Sequence, residues 1–191
     1  MDPDLVPDHS DGVGAARDPE ARAREVCLRL LTLAPRTRAQ LADALRKRGI
    51  PDEAADAVLG RYEDVGLIDD AAFARAWVES RHYSRGLAGR ALHAELRQRG
   101  VAADEIRAAI DEQLGPDAEV GAARRLVAGK LAATRGLPPE QRTRRLAGLL
   151  ARKGYPAGLA FRVIREALEA EGEAAFPEDE PPFDGEDLGT E

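Results

Sequence analysis

Two adjacent carboxylates, Asp69 and Asp70, are the residues of this sequence whose type and spacing most resemble a general acid–base pair. No partner base stands at a fixed spacing from them. Asp69 instead occupies the N-cap position of a predicted helix, and Asp70 lies in the first turn of that helix, where carboxylates are favoured. Helix capping therefore accounts for the pair, and we predict no catalytic role for it.

The histidines and the single cysteine offer no metal site. His9, His82 and His93 lack the spacing of metal ligands, and we expect His82 and His93 at the surface or at its boundary. Cys27 is predicted to be a small core residue, because it falls on the apolar face of a helix. A single cysteine also excludes an intramolecular disulfide.

The sequence also lacks a nucleotide-binding loop. Gly129 and Lys130 resemble the end of such a loop, but Leu131 follows the lysine and Arg124 stands where the first glycine is needed. We therefore expect a protein that is not an enzyme and that uses no cofactor and no metal.

Charge is segregated along the 191 residues, whose net charge is −7. Residues 1–20 carry −5 and residues 169–191 carry −10, whereas residues 21–168 carry +8. Both ends are rich in proline, glycine and acid, a composition that predicts disorder. They serve either as solubilising tails or as acidic tails that compete with DNA for the basic body. Without a signal peptide or a membrane span, the sequence predicts a soluble cytoplasmic protein.

A pattern of leucines and glycine occurs three times between these ends, at 41–59, 92–110 and 146–164. The aligned glycines are Gly49, Gly100 and Gly154, and the offsets of 51 and 54 residues are close to those of helical repeats. Aromatic residues make up only 4% of the chain, which favours helices over a sheet. We predict an all-α fold, an elongated array of three tandem three-helix repeats. The predicted segments are an acidic end (1–20), the repeats 21–68, 69–115 and 116–168, and a second acidic end (169–191).

Local signals place individual helices in this array. Thr37 and Gln40 form a capping box before the second helix, and Gly49 occupies a left-handed position after it. Gly66 ends the third helix. On the helix that follows, one face is predicted to hold Phe73, Ala76, Trp77 and Ser80.

The second helix of each repeat is basic, with net charges of +3, +3 and +4 over 37–48, 85–99 and 139–153. The helix dipole explains the bases near the helix C-termini. It does not explain the early positions Arg85, Arg90, Arg142, Arg144 and Arg145. These arginines indicate either a basic surface for an acidic protein or one for a phosphate backbone.

A helix-turn-helix transcription factor is an alternative, since residues 37–69 have the length and glycine placement of such a unit. A recognition helix carries Arg, Asn or Gln toward the bases, but the third helix here is acidic. The likeness is therefore one of architecture alone.

Residues 66–101 resemble the most characteristic segment of the RecX family of regulatory proteins. The matching positions are Gly66, Ile68, Asp69, Asp70, Phe73, Ala74, Trp77, Arg81, Glu95, Leu96, Gly100 and Val101. The resemblance extends over about residues 22–168; it is specific in the middle repeat and weaker in the lengthened third one.

The resemblance implies a negative modulator of the RecA recombinase without catalytic activity, acting in DNA recombination, repair and the SOS response. Such proteins are elongated helical arrays that bind in the groove of the RecA–DNA filament and suppress its growth, ATP hydrolysis and strand exchange. We expect a monomer in which Phe73 and Trp77 fasten the repeats together. The residues expected to face RecA or DNA are Arg81, Arg85, Arg90, Arg97, Arg99, Arg142, Arg144 and Arg145. The alternative is a stand-alone helical-repeat protein that binds single- or double-stranded DNA.

Overall fold

The computed structural model describes residues 18–172, and within them it contains helices and no strand. The predicted all-α fold is therefore confirmed. The helices are α1 (Pro19–Leu33), α2 (Arg38–Arg46), α3 (Asp52–Asp64), α4 (Asp70–Arg85), α5 (Gly89–Gln98), α6 (Ala103–Gln113), α7 (Pro116–Leu131), α8 (Pro139–Arg152) and α9 (Ala157–Ala170), with a 3₁₀ turn at Ala132–Thr134. None of the helices described is long and apolar enough to cross a membrane.

The predicted disorder of the acidic ends falls almost entirely outside the described residues. Helical structure begins at Pro19 and continues to Ala170, so it reaches two residues into each segment expected to be disordered. The nine α-helices described between residues 18 and 172 divide evenly among the three predicted repeats, whose boundaries stay a prediction.

The described residues form two compact units: 18–77 with Glu95–Ala109, and Val78–Ala94 with 110–172. In the first unit, α1, α2 and α3 pack around a core that includes Cys27, Leu41, Leu45, Val58 and Leu59. Cys27 is fully buried, as expected, and burial raises the pKa of its thiol.

The second unit has a core of its own, formed by α7, α8 and α9. Val127, Leu146, Leu150 and Ile164 are buried there. Tyr155 joins them, and burial raises its pKa to about 12.

The structure confirms the helix ends that the sequence predicted from capping residues and glycines. The Thr37 hydroxyl accepts the amide of Gln40, and the Gln40 side chain accepts the amide of Thr37, which completes the predicted capping box. Gly49 and Gly66 have positive φ, as expected at helix C-termini. Asp69 accepts the Ala72 amide at 2.7 Å and so caps α4.

In the first unit, three contacts fasten the start of α2 to later elements. The Arg38 amide donates to Asp70 at 2.9 Å, and the Thr37 hydroxyl donates to the Arg99 carbonyl at 2.6 Å. Gly100 lies directly against Ala39, and any side chain at Gly100 would overlap it. Asp70 therefore caps a helix of the preceding predicted repeat as well as lying in the first turn of its own.

The second unit repeats this arrangement at the start of α5. The Gly89 amide donates to Glu119 at 2.8 Å, and the Ala88 amide donates to the Lys153 carbonyl at 2.9 Å. Gly154 lies against Ala91, again without space for a side chain. A carboxylate, a backbone carbonyl and a glycine thus make the same contacts twice, at Gly100 and at Gly154, whereas the aligned Gly49 has no neighbour within 4 Å of the position that a side chain would take.

Candidate partner-binding surface

The buried face of α4 lies next to the face predicted to hold Phe73 and Trp77. Ala74, Val78 and His82 are buried at i, i+4 and i+8, whereas Ala76 and Ser80 are exposed. Phe73, Ala76, Trp77 and Ser80 do lie in one helix at the spacing of a shared face, and that face is only partly buried. Phe73 and Trp77 lie half-buried beside the buried stripe.

Trp77 connects α4 to α5. Its indole N–H donates to Glu95 at 2.8 Å, the Arg99 guanidinium lies 3.7 Å from the ring centroid, and Phe73 stacks on it at 5.7 Å. Both helices belong to the predicted middle repeat. These contacts lie inside that repeat, and the expectation that Phe73 and Trp77 fasten the repeats together stays a prediction.

His82 is a buried structural residue, and the expectation that it lies at the surface was wrong. Only 3% of it is exposed, and its Nδ1 atom lies 2.9 Å from the Leu87 carbonyl. A carbonyl only accepts, so Nδ1 must carry the proton of this hydrogen bond. The four-residue spacing from Val78 was the signal in the sequence that could have indicated burial.

Arg142 was expected to face a partner, and that expectation was wrong. Its side chain is 1% exposed, with Nε donating to the Thr134 hydroxyl at 3.1 Å and Nη2 donating to the Leu131 carbonyl and to Glu171. Arg142 precedes Leu146 and Leu150 by one and two turns, so it shares their buried face.

Glu171 follows α9 and binds two guanidinium groups. Arg142 donates to one carboxylate oxygen and Arg135 to the other. Hydrogen bonds from Arg142 and then Arg135 hold the pKa of Glu171 below its usual value. Arg142 and Glu171 therefore tie the start of α8 to the end of α9.

The other predicted arginines divide by exposure. Arg81 is half-buried, and Arg99 is half-buried under Trp77. The exposed ones are Arg97 in the first unit and Arg85, Arg90, Arg144 and Arg145 in the second. Within residues 18–172, none of these five forms an ion pair with a carboxylate. Their positive charge is therefore available to a partner.

A cleft of about 540 Å³ in the first unit is acidic and contains none of the predicted arginines. Glu63, Asp69, Asp70 and Glu105 line it, and burial is the main cause that raises the pKa of Asp70 and of Glu105. Each carboxylate nevertheless has a structural role: Glu63 pairs with Arg38, and the other three accept backbone amides. Among the described residues, no group of three or more His, Cys, Asp or Glu could hold a metal ion.

Comparison with known proteins identifies the family. Residues 23–61 match the family model of the first three-helix domain of RecX, and residues 69–110 match that of the second. A protein of Thermobifida fusca named "Regulatory protein RecX" is 62% identical over 183 residues, which cover 93% of this chain and 98% of that one. A Streptomyces coelicolor protein of the same name is 64% identical over 157 residues, covering 82% of this chain and 83% of its own.

Two crystal structures of RecX proteins have the same fold. One has a TM-score of 0.70 at 23% identity and covers 78% of this chain and 72% of that one. RecX from Lactobacillus salivarius has a TM-score of 0.72 at 17% identity, with coverage of 78% and 96%. With the high sequence identities of the bacterial relatives, these results lead to one conclusion: the chain belongs to the RecX family of regulatory proteins.

Proposed function

We propose that this chain binds the RecA–DNA filament and negatively modulates filament growth, ATP hydrolysis and strand exchange. It does so as a cytoplasmic monomer, without catalysis, in recombination, repair and the SOS response. The observation that carries the proposal is the 62% identity, over 93% of the chain, to a protein named "Regulatory protein RecX". RecX-family proteins modulate RecA, as the resemblance in residues 66–101 already implied.

The exposed arginines supply the attraction in this proposal. Arg85, Arg90, Arg97, Arg144 and Arg145 are solvent-exposed and form no ion pair within residues 18–172. Binding an acidic protein surface or a phosphate backbone therefore breaks no internal ion pair at these positions. Arg142 is not part of the proposed surface, because its guanidinium is buried and forms an ion pair with Glu171.

A charge-reversal experiment tests this assignment. We expect Arg90→Glu with Arg97→Glu to abolish binding to RecA filaments without a change in the helical circular dichroism. The matched control is Arg22→Glu with Arg29→Glu, because these two are also exposed and also seven residues apart, but lie on α1. Normal inhibition of RecA by the Arg90/Arg97 variant, or equal loss in both variants, would refute the placement.

Stand-alone DNA binding is the second candidate, since unpaired exposed arginines suit phosphates as well as carboxylates. The two proposals differ in their dependence on RecA and on salt. Binding to bare DNA needs no RecA, and it weakens steeply with added salt because the release of counterions from the DNA becomes less favourable. Tight, salt-sensitive binding to DNA together with no effect on RecA would favour the second candidate.

A further inference from the structure

Helix α8 has exposed arginines, and the sequence that follows α9 is strongly acidic. Arg144 and Arg145 on α8 are exposed and have no carboxylate partner among residues 18–172. Residues 173–191 follow α9 and contain eight acids and no base. The acids are Glu173, Glu178, Asp179, Glu180, Asp184, Glu186, Asp187 and Glu191.

The C-terminal end of α9 lies close to the start of α8. Glu171, the first residue after α9, already binds Arg142 and Arg135 through its carboxylate. Gly172 then has a φ of +84°, the left-handed conformation in which helices commonly end. Arg144 and Arg145 follow Arg142 on α8 by two and three residues, and residues 173–191 follow in sequence within two residues of the carboxylate that binds Arg142.

A carboxylate also binds the start of a helix in the two sets of contacts described above, around Gly100 and around Gly154. In each, a carboxylate that follows a three-helix group caps the start of the second helix of that group: Asp70 at Arg38, and Glu119 at Gly89. After α9 no further helix is described, and Glu171 instead binds Arg142 near the start of α8. In all three cases, therefore, a carboxylate from the chain that follows a three-helix group accepts a hydrogen bond near the start of the second helix of that group.

We propose that residues 173–191 occupy the basic surface of α8 around Arg144 and Arg145 and compete there with the external polyanion or acidic protein. The segment has 19 residues and can extend roughly 60 Å, whereas α8 has 14 residues and is about 21 Å long. Tethering gives such a segment an effective concentration on the order of millimolar. The inference rests on the proposed function, because it treats α8 as part of the binding surface.

A spin label placed in the acidic segment tests the contact directly. In the full chain, Thr190→Cys supplies the label site, since Cys27 is fully buried. We expect broadening of the α8 amide signals at low salt, and its loss in about 1 M salt, where the Debye length is about 3 Å. Arg144→Gln with Arg145→Gln should also abolish it.

Three results would overturn the proposal: no broadening of α8, equal broadening of all helices, or broadening that appears only between labelled and unlabelled molecules. The last would make a second copy the occupant. This measurement uses neither RecA nor DNA. Specific broadening without any inhibition of RecA would therefore refute the proposed function and leave the intramolecular contact standing.

A second experiment measures competition, with a fluorescent oligo-dT as the probe. Neutralising Glu178, Asp179, Glu180 and Asp184 to their amides should raise affinity about two- to tenfold at low salt, because an internal competitor is weakened. The matched control neutralises Asp2, Asp4, Asp8 and Asp11, which changes the net charge equally. Equal gains in both variants, or no gain in either, would contradict competition by residues 173–191.

Discussion

The substitution Arg142→Met tests whether this buried arginine of α8 stabilises the fold, in contrast to the exposed arginines of the same helix. The guanidinium donates to the Thr134 hydroxyl, to the Leu131 carbonyl and to Glu171. Methionine fills much of the space but donates nothing. The Leu131 carbonyl keeps the hydrogen bond from the Thr134 hydroxyl, whereas the Thr134 oxygen loses its donor.

Leaving such buried acceptors unpaired costs about 2–4 kcal/mol in the free energy of unfolding. For a chain of this length, about 3 kcal/mol corresponds to a fall in Tm of roughly 6–12 °C. The matched control is Arg144→Met, two residues away on the same helix but exposed, for which we expect a change within about 0.5 kcal/mol. Thermal unfolding followed by circular dichroism measures both. Equal melting temperatures for the two variants would refute the structural role of Arg142.

Three further predictions concern the cores, the contacts around Gly100 and pH. Gly100→Ala should cost roughly 3 kcal/mol, because it combines strain at positive φ with a close approach, whereas Gly49→Ala meets open space and should cost about 1 kcal/mol; urea unfolding compares them. Cys27 should resist a disulfide reagent at about pH 8 and react only in denaturant, and rapid reaction of the native protein would contradict its burial. The lowered pKa of Glu171 contributes stability above the ordinary value of 4.5, and this contribution is lost as pH falls through the native pKa. Glu171→Gln should therefore flatten the stability curve in that acid range, and an unchanged slope would contradict the pairing.

Local signals in the sequence predicted the helices and their ends, because each depends on a few adjacent residues. The capping box at Thr37, the cap at Asp69 and the left-handed Gly49 and Gly66 are of this kind. The repeated leucines also identified core positions such as Leu41 and Leu146.

The contacts of charged and polar side chains between helices could not be predicted in the same way. Arg142 looked like other arginines of a basic helix, and its burial depends on partners distant in sequence, such as Thr134 and Glu171. Asp70 was expected in the first turn of its own helix, but its hydrogen bond to Arg38 spans 32 residues. Such partners are set by packing, and no local spacing encodes them.

The most direct test of the account is RecA ATP hydrolysis on single-stranded DNA, with this protein titrated to concentrations well below that of RecA. The account predicts inhibition at these ratios, because a protein that blocks filament growth acts on many subunits at once. Unchanged hydrolysis, alongside salt-sensitive binding of the protein to bare DNA, would contradict it and make DNA binding the function.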